Sequence, residues 1–380
     1  MAHVREVPRK GGKRAYEVRW RDLAGKNSQR TFTVRREAER FAARIENELA
    51  AGDDSHHALK NRKTIQEAID AVLAADRHRL KPRTLDSYRK IYGKRITEKF
   101  GNRRLNTLKR GEIQHWITEL AGDGLAAATV KHHYLALRKL FKWAIRERLL
   151  THDPCEHISL PRRSTSNEYP ILSVAEIQRL AEVLEDTPPY GLLVRFMAYT
   201  GLRLAEVAGL RVSDVELGNR RLFVRQTAQR ITGRGWVLGA PKSKRSTREV
   251  PLLDSRLIAD LKTHLLTHPD PGRSGALFWP GRSPGSRELD YDRMFDGASF
   301  RRNRFSTALI QAKLPKMRLH DLRHTAASLW LAAGFQPYEV SRWLGHASVT
   351  TTDTIYGHLY PTNYRDHMEK FERYMARETD

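Results

Sequence analysis

The chain has 380 residues, room for roughly two or three domains, and its 68 Lys and Arg against 44 Asp and Glu leave a net charge of +24 and a pI near 10.3. So large a surplus, in a chain still 40% hydrophobic, points to a polyanionic partner, because each phosphate neutralised by Lys or Arg releases condensed counterions. One cysteine, Cys155, excludes an internal disulfide and a cysteine-rich zinc cluster; no apolar signal region opens the chain, and no window nears the ~18 apolar residues of a membrane helix, so a soluble, cytoplasmic protein with no membrane partner is expected.

Residues 1–36 hold eleven Lys and Arg against three acids. Within them Tyr16–Trp20 and Thr31–Val34 alternate apolar and polar side chains around a polar turn from Asp22 to Gln29, which predicts a β-hairpin. From Arg36 the period turns helical, through Ala38, Phe41, Ile45 and Leu49. The expected unit, residues 1–55, is a small sheet plus helix, with Arg19, Lys26, Arg30 and Arg35 available to DNA phosphates or base edges, since a β-ribbon can enter the major groove. Residues 56–63 read as a linker.

Thr64-Ile-Gln-Glu67 matches a capping box. Apolar stripes then follow through Ile65, Ile69, Val72 and Leu73 and over Thr84–Phe100, Arg110–Ala121 and Ala128–Arg148, predicting a four-helix domain over 64–160 with nineteen Lys and Arg against eleven acids. Its aromatics fall at core spacing. Residues 161–172, rich in Pro, Ser and Arg, read as a second linker. Beyond Ser173 the pattern is mainly helical, interrupted by short strands at Arg221–Arg225, Gly235–Leu238 and Arg248–Leu252. The fold class is multidomain and mainly α with small β elements.

Five short signals fall in the last 210 residues or so: Thr200-Gly-Leu-Arg203-Leu-Ala-Glu206, Pro241-Lys242-Ser-Lys244, His320-Asp-Leu-Arg323-His324, Leu344-Gly345-His346, and Tyr356-Gly-His358. Taken singly each has a bland explanation: an ion pair, a solvated helix face, a packed tyrosine. In this order, however, they resemble the active set of the tyrosine recombinase (phage integrase) family over about 170–360. The 64–160 region is similar to the family's core-binding domain and the N-terminal module to its arm-type DNA-binding domain, with 173–362 as the catalytic domain.

The resemblance implies a DNA breaking-rejoining enzyme that integrates, and can excise, a mobile element. Arg203 and Arg323 would clamp the nonbridging oxygens of the scissile phosphate with paired N–H donors. His346 would donate to the same phosphate, His320 would take the proton of the nucleophile Tyr356, and Lys242 would protonate the departing 5′-oxygen. A phenol suits the task because phosphotyrosine stores the bond energy and still leaves readily. Lys244 is the competing lysine, although the family pattern favours Lys242. Glu206 is expected to orient Arg203, Asp214 and Asp321 to act as caps, and His324 and His358 to lie outside the site. No metal and no cofactor are expected, because two guanidiniums can stand where nucleases use Mg²⁺. Implied partners are double-stranded DNA at core and arm sites, three further copies of the chain in a tetramer, and accessory DNA-bending and directionality proteins. The C-terminal helix, 363–380, carries Tyr364, Met368, Phe371 and Met375 on one stripe that could dock on a neighbouring subunit. A type IB topoisomerase and a DNA-architectural protein with a vestigial site are the alternatives.

Overall fold

Alternation along Arg14–Arg21 (β2) places Val18 and Trp20 on one face, where they meet Ala38, Phe41 and Ile45 of helix α1, Arg35–Ala50, in a small core. The computed structural model describes residues 2–8, 14–21, 25, 27–50, 62–162, 169–241, 246–283, 286, 288–357 and 364–378. The sheet has three antiparallel strands in sequence order, with β1 (His3–Pro8) and β3 (Asn27–Phe32) flanking β2. Strand β3 thus begins inside the segment read as a turn, and β1 adds the third strand.

Residues 65–146 form the helical region: α2 (Ile65–Ala75), α3 (Pro82–Ile91), α4 (Thr97–Phe100), α5 (Arg110–Gly122) and α6 (Ala127–Arg146). The Thr64 hydroxyl accepts from the Glu67 amide while the Glu67 carboxylate takes the Thr64 amide at 2.7 Å, so two free donors at the helix start are satisfied reciprocally. The stretch read as one helix over 84–100 contains a π turn at Tyr92–Ile96, after which Phe100 still reaches the core beside Trp116. Ile69, Tyr92, Ile113, Trp116, Leu137 and Phe141 are all buried there, as their spacing requires.

The chain divides into two compact units, Met1–Ser166 and Asn167–Asp380. The second begins with α7 (Val174–Leu184), α8 (Tyr190–Thr200) and α9 (Leu204–Gly209). A three-stranded antiparallel sheet follows, in the order β4 (Val215–Glu216), β5 (Arg221–Val224), β8 (Arg248–Pro251). Between β5 and β8 in the chain, β6 (Thr227–Ile231) and β7 (Gly235–Gly239) pair as a hairpin. Neither β6 nor the pair β9 (Pro280–Arg282) and β10 (Leu289–Met294) was legible as a strand, because their alternation is broken by charged residues and a bulge.

Helix α10 (Ser255–Leu266) and the broken helical run α11 (Gly297–Phe300) and α12 (Ser306–Gln311) complete the larger core with Phe196, Phe278, Trp279, Phe300 and Phe305. A smaller core gathers Ala326, Ala327, Trp330, Val340, Leu344 and Tyr356 from α13 (Asp321–Ala332), α14 (Pro337–Leu344) and α15 (Val349–Tyr356). The last helix, α16, spans Tyr364–Glu378. No helix among the described residues is long and apolar enough to cross a membrane.

Candidate active site

Two local devices explain the spacing around Arg203. Gly201 ends α8 at φ +60°, and a Cβ there would lie 2.9 Å from Leu344 Cδ2 and 3.2 Å from the Trp330 ring, so only glycine fits both the turn and the packing. Arg203 is then the N-cap of α9, and Glu206, three residues on, takes its backbone amide at 2.8 Å. The same carboxylate takes Arg203 Nη1 at 2.8 Å, so the Arg-x-x-Glu spacing is set by helix capping before any chemistry is considered. Burial would raise the pKa of the Glu206 carboxyl, but hydrogen bonds and charge from Arg248 and Arg203 outweigh it and keep the group ionised.

The end of α14 draws in three arginines. Helix-terminal carbonyls lack partners within the helix and carry its negative dipole end. Here the Trp343 carbonyl accepts from Arg248 Nε, Leu344 from Arg323 Nη2 at 2.6 Å, and Gly345 from Arg203 Nη2 at 3.1 Å. Arg323 also donates to the Gly201 carbonyl at 2.8 Å, which ties the end of α8 to the end of α14. Gly345 closes α14 in the left-handed region and turns the chain to His346, whose Nδ1 lies 2.8 Å from Thr352 Oγ1. The Arg203 side chain remains 36% exposed, whereas Arg323 is buried. Burial, with Arg203 nearby, pushes Arg323 down to about 9, still charged at neutral pH.

His320, the N-cap of α13, is depressed first by burial and then by Arg323 and Arg318. Asp321 is pinned by Arg318 through its backbone amide and guanidinium, both at 2.6 Å, and serves as a cap. Asp214 likewise accepts the Arg211 amide and pairs with Arg225. His346 is pushed down to about 3 by burial among Arg323, Arg203 and Arg248, so it is neutral.

Tyr356 is the last residue of α15 and is buried in the smaller core. Burial raises its pKa, against the pull of Arg323. The imidazole that meets the phenol is His324, with Nδ1 2.6 Å from the hydroxyl. The ring of Tyr169 stacks flat on His324 at 4.0 Å, and His320 abuts it edge-on at 5.4 Å. Burial and His320 push His324 down to about 4. Sequence reasoning had set His324 aside; its position four residues after His320, on the same helix face, was the available signal.

Arg248, Thr352 and Tyr169 were also missed. For Arg248 the clue lay in Arg248-Glu-Val-Pro, whose alternation puts an arginine on the apolar side of a strand with Val250. Lys242, Lys244 and His358 lie outside the described residues.

The N-terminal arginines do not share one surface. Opposed residues in an antiparallel pair point to the same face, so Arg30, opposite Val18, lies on the helix side, with its guanidinium over the rings of Phe41 and Phe32. Arg19 is on the other face beside Glu17 and Arg5, a residue the sequence reading passed over. Arg35 pairs with Glu39 on α1, and Lys26 lies outside the described residues.

Residues 170–363 match the model of the phage integrase family, and residues 64–121 match that of the phage integrase N-terminal SAM-like domain. The prophage phiRv2 integrase of Mycobacterium tuberculosis is 27% identical over 71% of this chain and 68% of its own length. The ICEBs1 integrase of Bacillus subtilis is 24% identical over 90% of each chain. Among solved structures, the Tn1549 transposon integrase in complex with a circular intermediate DNA superposes with a TM-score of 0.62 at 20% identity, over 81% of this chain and 99% of that one. A lambda integrase tetramer bound to a Holliday junction gives 0.58 at 19% identity, over 92% and 94%. The family match covers half of the 380 residues and includes the whole arginine-lined end of α14, and the chain belongs to the phage integrase family, the tyrosine recombinases.

Proposed function

We propose that this chain cleaves and rejoins DNA at specific sites through a 3′-phosphotyrosine bond to Tyr356, integrating and excising a phage or other mobile element. One observation carries the reading: Arg203, Arg323 and His346 converge on the end of α14, and the Tyr356 hydroxyl is hydrogen-bonded to His324, the residue next to Arg323 on α13. Two guanidiniums at that point supply fixed donors for the charge that develops on the nonbridging oxygens. The Tyr356 oxygen attacks phosphorus, the bond to the 5′-oxygen breaks, Lys242 protonates that oxygen, and the phenolic proton passes to His320. Rejoining reverses these steps with an incoming 5′-hydroxyl.

His324 holds the phenol at rest. With the phenol raised and the imidazole lowered, each chiefly by burial, both partners are neutral at rest. For the proton to pass to His320, the hydroxyl has to leave His324 Nδ1, 2.6 Å away, when a phosphate arrives.

Four protomers would act on two DNA sites, the helical domain and catalytic unit holding the core site and the N-terminal sheet an arm site through the face bearing Arg5 and Arg19. Helix α16 would dock on a neighbouring subunit, consistent with the exposed side chains of Met368, Phe371 and Met375 at helical spacing. DNA-bending and directionality proteins would set the direction of exchange. A DNA duplex nicked beside the cleavage position traps the covalent step. The full chain should accumulate a protein–DNA adduct on it and Tyr356→Phe none; an adduct with Tyr356→Phe moves the nucleophile elsewhere.

A further inference from the structure

The two arginines of the sequence motifs account for only part of the cationic cluster at the end of α14. The third, Arg248, comes from β8 and is buried on the same side of that strand as Val250. Its Nη1 and Nη2 each sit 2.9 Å from one oxygen of Glu206, a fork-on-fork pair, while Nε donates to the Trp343 carbonyl and Nη1 also to the Ser246 carbonyl at 3.2 Å. With its side chain only 4% exposed, this guanidinium is committed to protein acceptors and turned away from solvent.

Charge decides what such a residue does. Glu206 shares Oε1 between Arg248 and Arg203 Nη1. A carboxylate facing Arg203 alone would cancel its charge and draw its guanidinium inward. With Arg248 as the second partner, the Glu206–Arg203–Arg248 group carries one net positive charge, and the exposed member is Arg203. Breaking a buried pair by removing one partner leaves an uncompensated charge, which then seeks the nearest cation. That cation is Arg203.

We infer that Arg248 is a positioning residue for strand cleavage: by holding both Glu206 oxygens and the Trp343 carbonyl, it sets the plane of the Arg203 guanidinium and leaves its positive charge free for the scissile phosphate. This rests on the reading of Arg203 as a phosphate clamp. It makes Glu206 a hinge between two arginines of different duty, one turned to DNA and one turned to the protein. Arg248 acts at the transition state through Arg203, so its loss registers in the cleavage rate at saturating DNA and leaves DNA affinity unaltered.

The test uses the full chain on the nicked duplex and on the same duplex with a methylphosphonate at the scissile position, where a methyl group replaces one charged nonbridging oxygen. Arg248→Met should slow adduct formation on the phosphodiester by about a hundredfold, the scale of one lost preorganised donor, with DNA affinity unchanged. Arg248→Lys, which keeps the charge and loses the fork, should fall between. Adding Glu206→Gln to Arg248→Met removes the unpaired carboxylate and should restore much of the rate. On the methylphosphonate, where less charge awaits Arg203, the Arg248→Met penalty should shrink.

Equal penalties on both substrates, or an Arg248→Met penalty that simply multiplies with that of Arg203→Ala, would reduce Arg248 to scaffolding and overturn the inference. If Arg248→Met does not fold, as judged by its melting curve, Arg248→Lys and the double variant carry the same comparison. A wild-type chain that forms no adduct, or an Arg203→Ala variant at full rate, defeats the parent reading instead.

Discussion

At the reacting atoms the chemistry turns on two histidines one helical turn apart. His320 caps α13 and His324 lies on the same face, hydrogen-bonded to Tyr356 and stacked against Tyr169. A proton acceptor and a resting contact respond differently to removal. His320→Ala should slow adduct formation by roughly 10²–10⁴-fold, the usual range for a positioned general base, whereas His324→Ala should cost far less, since it deletes only the contact the phenol must leave. Single-turnover cleavage by the two variants measures this, and a larger loss for His324 would exchange their roles. The motif made His320 visible in the sequence. His324 was visible too, but its contact with the phenol and its burial depend on Tyr169 and Tyr356, residues 155 positions before it and 32 after it in the chain.

Among the elements, the end of α14 joins what separate segments supply. Gly201 and Gly345 both adopt the left-handed conformation, and their turns bring the carbonyls of Gly201 and Leu344 to the two sides of Arg323. Gly201→Ala places a Cβ against Leu344, Trp330 and Ala326. It should destabilise the chain by about 1–3 kcal/mol from backbone conformation alone, with a further cost from the 2.9 Å approach to Leu344 Cδ2. Urea unfolding followed by tryptophan fluorescence reads the change; unaltered stability would mean that the turn relaxes freely and does not hold Arg203 in place. Thr-Gly-Leu-Arg-x-x-Glu is legible as a helix stop followed by a capped start, because capping is local. That the new start faces the end of a helix some 140 residues later is not, because no local rule brings those two helix ends together.

At the scale of the whole molecule, buried neutral histidines make the fold sensitive to acid. His264, His320, His324 and His346 all have pKa values held below 6.5 in the folded catalytic unit, mainly by burial. Unfolding restores the ordinary value, so below it the unfolded chain binds more protons and stability falls. The contribution is complete above about pH 6.5 and is lost as the pH drops toward the folded values. The buried carboxylates Glu206 and Asp321 are likewise held below their ordinary values near 4, by their arginine partners against the effect of burial, and add to the loss only in stronger acid. The melting temperature should therefore decline between pH 7 and pH 5, before Glu206 or Asp321 titrates, and a flat profile there would show that these imidazoles stay solvated.

The amino-acid sequence by itself determined the basic character of the chain, the helical segments, the arm-like sheet in outline and the order of Arg203, His320, Arg323, His346 and Tyr356. Each of these follows from short-range rules: charge, periodicity, capping and turn chemistry within a few residues. Only the tertiary structure decided that Arg30 faces a helix while Arg19 faces outward, that Arg248 shares Glu206 with Arg203, and that Tyr356 rests on His324. Those pairings join residues far apart in the chain, and they are selected by the need to satisfy buried charges and helix-end carbonyls once the elements have packed.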